Sequence, residues 1–435
     1  MSAAMRLYAL AALCGGALMS TVPLHAQPRV GADGSFLIRG GTVVTGTGQR
    51  IQNGSVLIQD GKIAAVGATV QAPADATVID ATGKFVYPGM IDSYTPLGLS
   101  EIGGINTMNL RSELGEYNPH MRAVVALNVD SEMLGVTRAN GVTNVLSAPS
   151  AGIISGQAAL IHTAGWTWED LAVKSTAAYV VNWPREPSFR FGQAPSEGQR
   201  SGAREQVERN IRELKEMLRT ARQYHRAREA GSTQWDQQYE ALRPLIAGQV
   251  PALVSADNED QIRGVIALAD TFGVKVIIYG GDEAWKVAEL LAQKQVPVVL
   301  SSIQSTPGDD DPYDAIYAQP GVLQRAGVKF AFSTGGSANA RHVPYHASLA
   351  VAYGLPADAA FQALTLWPAQ IFGVADQIGS IEVGKLGNVF VATGDPLDVR
   401  TQVTDVFISG RRVPMDDRHT RFFEKYNGRP KAAGG

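Results

Sequence analysis

The sequence predicts an α/β fold in which a parallel sheet alternates with helices and both ends of the chain are β-rich. Three observations predict it. From Gly248 onward, apolar strands alternate with helical segments, the pattern of a parallel sheet built from strand–helix units. Those strands, such as Val274-Lys275-Val276-Ile277-Ile278-Tyr279 and Val296-Pro297-Val298-Val299-Leu300, are nearly continuous apolar runs, as burial on both faces requires. Short strands with tight turns fill residues 35–86 and return over residues 379–413.

Taken in order, the chain opens with Arg6 and an apolar segment, residues 7–19, too short to span a bilayer. With Leu24-His25-Ala26 as the cleavage site, residues 1–26 read as a signal peptide and the mature chain starts near Gln27; a retained N-terminal anchor is the alternative. Cys14 is the only cysteine and follows Leu13, not the small residue that precedes a lipid-attachment cysteine. Once the signal is removed no thiol remains, which excludes disulfides and thiol catalysis. The expected location is periplasmic or secreted, with no membrane contact after cleavage.

Phe36-Leu37-Ile38 and Thr42-Val43-Val44 begin the β-rich region. Asn53-Gly54 makes a hairpin turn, because both residues tolerate positive φ. Strands follow at residues 55–58, 62–67 and 77–80. Phe85-Val86-Tyr87-Pro88-Gly89-Met90-Ile91-Asp92 is an apolar strand interrupted by Pro-Gly and ending on an acid, after which Ser93, Tyr94, Thr95 and Pro96 open a loop. Residues 141–146 are the next strand, and two more are expected between Ala158 and Val181. Residues 184–201, rich in Pro, Gly, Ser and Arg, predict a loop. In residues 204–229, Val207, Ile211, Leu214, Leu218 and Ala221 recur at spacings of four and three, one face of a long helix. Strands at 250–254, 274–279, 296–300 and 328–332, with helices at 260–272 and 283–295, complete the alternation.

At 435 residues the chain accommodates one large and one small domain. A hydrophobic content of 45% against 18% charged suits a packed, enzyme-like globule. A formal net charge of -3 gives the chain as a whole no attraction for nucleic acid or an anionic membrane.

The stretch from Pro88 to Pro96 resembles the first-strand motif of the amidohydrolase superfamily, Pro-Gly-hydrophobic-Ile-Asp-x-His-x-His. Ser155-Gly156-Gln157, Asp311-Pro312-Tyr313-Asp314, Asn339-Ala340-Arg341-His342-Val343-Pro344-Tyr345 and Leu364-Thr365-Leu366-Trp367-Pro368-Ala369 resemble segments of its imidazolonepropionase-like branch. The resemblance implies a (β/α)8 TIM barrel over residues 86–377, with a small composite β-sandwich domain made from residues 27–85 and 378–435. It also implies hydrolysis of C–N bonds in cyclic amides, imidazolones, dipeptides and related compounds. In such a barrel, zinc or iron at the C-terminal strand ends activates a water and polarises the scissile carbonyl. The family's ligands are two histidines on strand one, one histidine each on strands five and six, and an aspartate on strand eight.

Matched position by position, the ligands are absent. Tyr94 and Pro96 replace the strand-one histidines, Ser255 the strand-five histidine, Gly280 the strand-six histidine and Gly335 the aspartate. Small shifts of register do not restore them: no histidine lies between His225 and His342, and no Asp or Glu between Asp314 and Asp358. No metal cofactor is expected. His342 and His346, four apart, and His120 with Glu101, Glu113 and Glu116 are read as packing and loop residues, because isolated His pairs rarely make a metal site. Asp309, Asp310 and Asp311 read as solvated turn residues, and Lys174 is placed near strand four. No Gly-x-Ser-x-Gly elbow occurs. A metal-free acid–base pair of Asp257 with Tyr94 is the remaining catalytic candidate. Two readings follow: a ligand- or partner-binding pseudoenzyme whose pocket lies at Tyr94, Pro96, Ser255, Gly280 and Gly335, with a small molecule or a paralogous amidohydrolase as partner; or an active C–N hydrolase with an unusual site.

Overall fold

The structure, a computed structural model, describes residues 31–101, 109–186, 196–308 and 311–429. The expected signal segment, Asp309 and Asp310 lie outside the described residues. Among the described residues, no helix is long and apolar enough to cross a membrane.

Both chain ends build one eight-stranded sheet. It contains β1 (Phe36–Val44), β2 (Arg50–Gln59), β3 (Lys62–Gly67), β4 (Thr77–Asp80) and β5 (Phe85–Pro88) from the N-terminal side. From the C-terminal side come β14 (Val389–Ala392), β15 (Val403–Ile408) and β16 (Arg411–Val413). The order is β16-β15-β14-β5-β1-β2-β3, with β4 beside β1. The sheet curls over a core of its own that includes Ile38, Val56, Ile58, Val86, Val389 and Val391. Phe36 on β1 meets Phe407 on β15, three strands away in the ladder, edge to face at 5.2 Å. One sheet folded onto itself thus makes the sandwich-like layer.

The chain leaves this sheet for the next at Gly89. β5 pairs with β14, and one residue later β6 (Met90–Thr95) pairs with β7 (Val142–Ser147). A Cβ on residue 89 would lie 1.9 Å from the Thr143 hydroxyl oxygen, so only glycine lets the two sheets approach here.

The second sheet is the barrel. Its order, β6-β7-β8-β9-β10-β11-β12-β13, follows the chain through β8 (Ile154–His162), β9 (Ala172–Asn182), β10 (Ala252–Ala256), β11 (Val276–Gly280), β12 (Val298–Leu300) and β13 (Phe330–Phe332). The parallel expectation holds except at β8, which runs antiparallel to both β7 and β9. Its connections, residues 148–153 and 163–171, are too short for the dozen or more residues a parallel crossover needs. Inward-facing Ile91, Leu146, Val180, Leu253, Ile277 and Val299 fill the interior, so the barrel is a packed core rather than a channel. Closure between β13 and β6 is made by single bonds beyond the strand ends, such as Gly335 N–H to the Tyr94 carbonyl at 3.1 Å.

A buried polar cluster joins the two sheets. His162 Nδ1 lies 2.9 Å from Asn144 Nδ2 and 3.3 Å from Asn388 Nδ2, and its Nε2 lies 3.0 Å from the Ser409 hydroxyl. Asn388 Nδ2 also donates to Asn144 Oδ1 at 3.0 Å. Every polar atom of this cluster finds a partner inside the protein, as groups removed from water must.

The long helix spans Glu197–Glu229 and buries Leu214, Leu218 and Ala221. It starts earlier than expected because Ser196 and Gln199 form a reciprocal capping box. Residues 196–201, expected in the loop, are therefore the cap and first turn.

Candidate active site at the barrel mouth

The C-terminal ends of the barrel strands converge on two tyrosines. Tyr94 at the end of β6 stacks on Tyr279 at the end of β11, with ring centroids 3.8 Å apart and planes 19° from parallel. Tyr279 stands opposite Ser255 in the β10–β11 register and shares the inward face with Ile277 two residues earlier. The inward side chain on strand six is therefore Tyr279, one residue before the expected Gly280. Burial pushes the Tyr94 hydroxyl up to about 12. Burial raises Tyr279 as well, helped by Tyr94, Asp92 and Asp257 nearby.

Beneath the stack lies Asp92, fully buried. It accepts the Thr334 N–H at 3.1 Å, the Thr334 hydroxyl at 2.5 Å and the Tyr94 N–H at 3.3 Å. Burial nonetheless pushes its pKa up to about 7, against the lowering effect of those three donors. The carboxyl ties strand one to the chain just beyond strand eight.

The other expected positions surround this pair. Pro96 is buried past the strand end, and its carbonyl accepts the Leu99 N–H at 2.9 Å. Ser255 donates to Asn182 Oδ1 at 3.3 Å, and Asn182 in turn bonds Ser155 at 3.0 Å and the Gly152 carbonyl at 2.7 Å. Gly335 has φ +68°, and a Cβ there would sit 3.5 Å from the Tyr279 hydroxyl. Gly280 has φ +95°, and a Cβ would lie 2.1 Å from Asp257 Oδ1. The missing side chain at Gly280 is what gives the Asp257 carboxyl its place.

Asp257 and Asp282 stand near one another at the rim. Burial raises the Asp257 pKa, the neighbouring Asp282 raises it further, and Arg185 at 3.2 Å opposes both. Burial also raises Asp282, which accepts from the Ser301 hydroxyl at 3.0 Å. Tyr279 senses both Asp257 and Tyr94 electrostatically, so the candidate pair of Asp257 with Tyr94 is linked through a residue outside it. Sequence reasoning missed Tyr279, Asp92, Thr334, Asn182 and Arg185. A strict two-residue alternation from Leu253 and Ile277 would have found Tyr279; the others depend on contacts between segments far apart in the chain.

The family's metal pair does not fit these residues. Zinc and iron are held by imidazole, thiolate and carboxylate, whereas the matching positions offer one phenol, stacked on that of Tyr279, a hydroxymethyl group, a proline and two glycines. Among the described residues, no group of three or more His, Cys, Asp or Glu gathers as a metal would require. Lys174 lies at the start of β9, at the opposite end of the barrel from the mouth, where its ammonium donates to the Phe372 carbonyl at 2.9 Å. His342 accepts from Arg341 at 3.0 Å, and the Arg341 carbonyl bonds Asn140 just ahead of β7, again away from the mouth. His346 is buried, and burial pushes its pKa down to about 4. Asp311 is not a solvated turn residue: it is ion-paired with Lys286 at 2.7 Å.

Comparison with known proteins agrees with this architecture. A family model described as "Amidohydrolase family" matches residues 314–413. The amidohydrolase tasK of Hapsidospora irregularis is 24% identical over 388 residues, covering 82% of this chain and 39% of that protein. An imidazolonepropionase of a Geobacillus species is 48% identical over 52 residues, covering 10% of this chain and 12% of that protein. The chain thus spans well under two thirds of these relatives. The crystal structure of an amidohydrolase from Thermotoga maritima superposes with a TM-score of 0.77 at 26% identity, covering 87% of this chain and 99% of that one.

Proposed function

Because the chain belongs to the amidohydrolase superfamily of hydrolases, we propose that it is an exported member whose barrel mouth binds a small-molecule ligand without a metal pair and without the family's turnover. The observation that carries this reading is the Tyr94–Tyr279 stack. Two phenols lie against each other where a hydrolytic barrel needs imidazoles converging on a cation and a water. The two aromatic rings have the polar groups of Asn182, Ser255 and Asp257 near them at the strand ends, the mixture of aromatic and polar groups typical of small-molecule sites. Elemental analysis of protein purified without chelator tests the reading. The expected content is far below one zinc, iron or manganese per chain. A full equivalent surviving dialysis, together with chelator-sensitive turnover of a cyclic amide, overturns it.

The raised carboxyls of Asp257 and Asp282 favour a second reading, a metal-free C–N hydrolase. A carboxyl that retains its proton nearer neutrality is suited to general acid–base work. This reading predicts turnover that chelator leaves untouched and that Asp257→Ala removes.

A further inference from the structure

We infer that the C-terminal helix, Arg418–Asn427, docks on an anionic phospholipid surface. Two side chains tie this helix to the body: Arg421 pairs with Glu132 at 2.7 Å, and His419 Nδ1 lies 2.6 Å from Arg341. It buries none of its residues. Phe422, Phe423 and Tyr426 are 43%, 70% and 64% exposed; Tyr426, four residues after Phe422 and three after Phe423, joins the two adjacent rings into one broad exposed aromatic surface. Arg418 lies over the Phe422 ring and Lys425 over that of Tyr426, so cations line one edge of the aromatic surface. This is the arrangement of a helix that lies in a membrane interface, with rings in the acyl boundary and basic groups at the headgroups.

Local charge selects the occupant. Residues 418–435 carry Arg418, Arg421, Lys425, Arg429 and Lys431 against Glu424 alone, a balance of +4; with -3 for the whole chain, residues 1–417 carry -7. The weak bulk charge therefore hides a basic terminus on an acidic body. An anionic surface attracts the terminus and repels the rest, which orients the protein helix-down. A second copy fits less well. The three rings expose roughly 350 Å² between them, under half of the ~800 Å² each partner contributes to a standard interface; two such helices would also bring like charges together.

Hydrogen exchange read peptide by peptide on the full chain tests this. Vesicles of phosphatidylcholine mixed with phosphatidylglycerol should slow exchange across residues 418–428, and phosphatidylcholine alone should not. Raising salt from about 0.1 M to about 1 M shortens the screening length from ~10 Å to ~3 Å and should remove most of the protection. Phe422→Ser with Phe423→Ser should weaken vesicle binding at least about tenfold. The urea midpoint should stay put, since neither ring is in the core. The inference is overturned if mixed vesicles leave the helix unprotected, or if the double variant is protected as the wild type is. Protection that appears without vesicles and grows with protein concentration also overturns it, in favour of a second copy.

Discussion

Acidification should loosen the seam between the barrel and the chain-end sheet, and His162 sets how much. Its Nδ1 faces the amide nitrogens of Asn144 and Asn388 at 2.9 and 3.3 Å, so a second ring proton would meet donors instead of acceptors. Burial lowers its pKa from 6.5 to about 4. Between those values the unfolded chain holds the proton and the folded chain does not, so stability is lost as pH falls. A gap of about 2.5 units at 1.36 kcal/mol each is worth about 3 kcal/mol. Urea unfolding of wild type and His162→Gln from about pH 7.5 to about pH 4 reads this directly. Glutamine keeps an acceptor and a donor at the site but cannot gain a proton. Asp92 and His346 titrate in both proteins and cancel in the difference. The wild type should be the more stable near pH 7 and lose about 3 kcal/mol of that advantage by pH 4. A difference constant to within about 0.5 kcal/mol would refute the assignment of His162 as a buried neutral ring.

Asp92 acts with the opposite sign. Its folded pKa is raised from 3.8 to about 7, so its contribution is complete below about pH 3.8 and is lost as pH rises through 7, about 4 kcal/mol in all. Asp92→Asn should flatten that slope in the same urea series, and an unchanged slope would count against a buried, proton-holding carboxyl. Gly89→Ala places a Cβ on Thr143 and should cost about 3 kcal/mol or more; a midpoint within error of wild type would show that the sheet crossing is not tight. Tyr279→Ala removes the stack and most of a large side chain, for an expected loss of about 3 kcal/mol, checked by urea unfolding. Arg185→Ala breaks an ion pair whose side chains are 67% and 39% exposed. It should change stability by less than about 1 kcal/mol while letting the Asp257 pKa rise further, which carboxyl-resolved NMR titration can follow.

The fold was legible because apolar runs and turns are local. Continuous strands such as Ala252–Ala256 and Val276–Gly280 declare themselves by composition, and Asn53-Gly54 declares its turn. β8 was not legible as an antiparallel strand, because its direction is set by connection length, and neither end of the strand was placed from sequence. Of the candidate site, the positions Tyr94, Pro96, Ser255, Gly280 and Gly335 were legible at or just beyond strand ends, but not their contacts. The absence of histidine and acid could be counted along the chain. That Tyr94 would find Tyr279, or that Asp92 would find Thr334 242 residues away, depends on barrel closure, which no local pattern encodes.

Closure also bears on why the mouth holds these residues. In a ligand-complete barrel, a metal pair draws strands one, five, six and eight toward one point. Polar groups buried at these strand ends would cost about 1–3 kcal/mol each if left unpaired. Here the same strands are joined by other means. Asp92 binds strand one to Thr334 beyond strand eight. The tyrosine stack binds strand one to strand six. Ser255 and Asn182 bind strand five to strand four. The first two meet at Tyr94, whose N–H donates to Asp92 while its ring stacks on Tyr279. Tyr94→His would therefore break the stack that joins strand one to strand six.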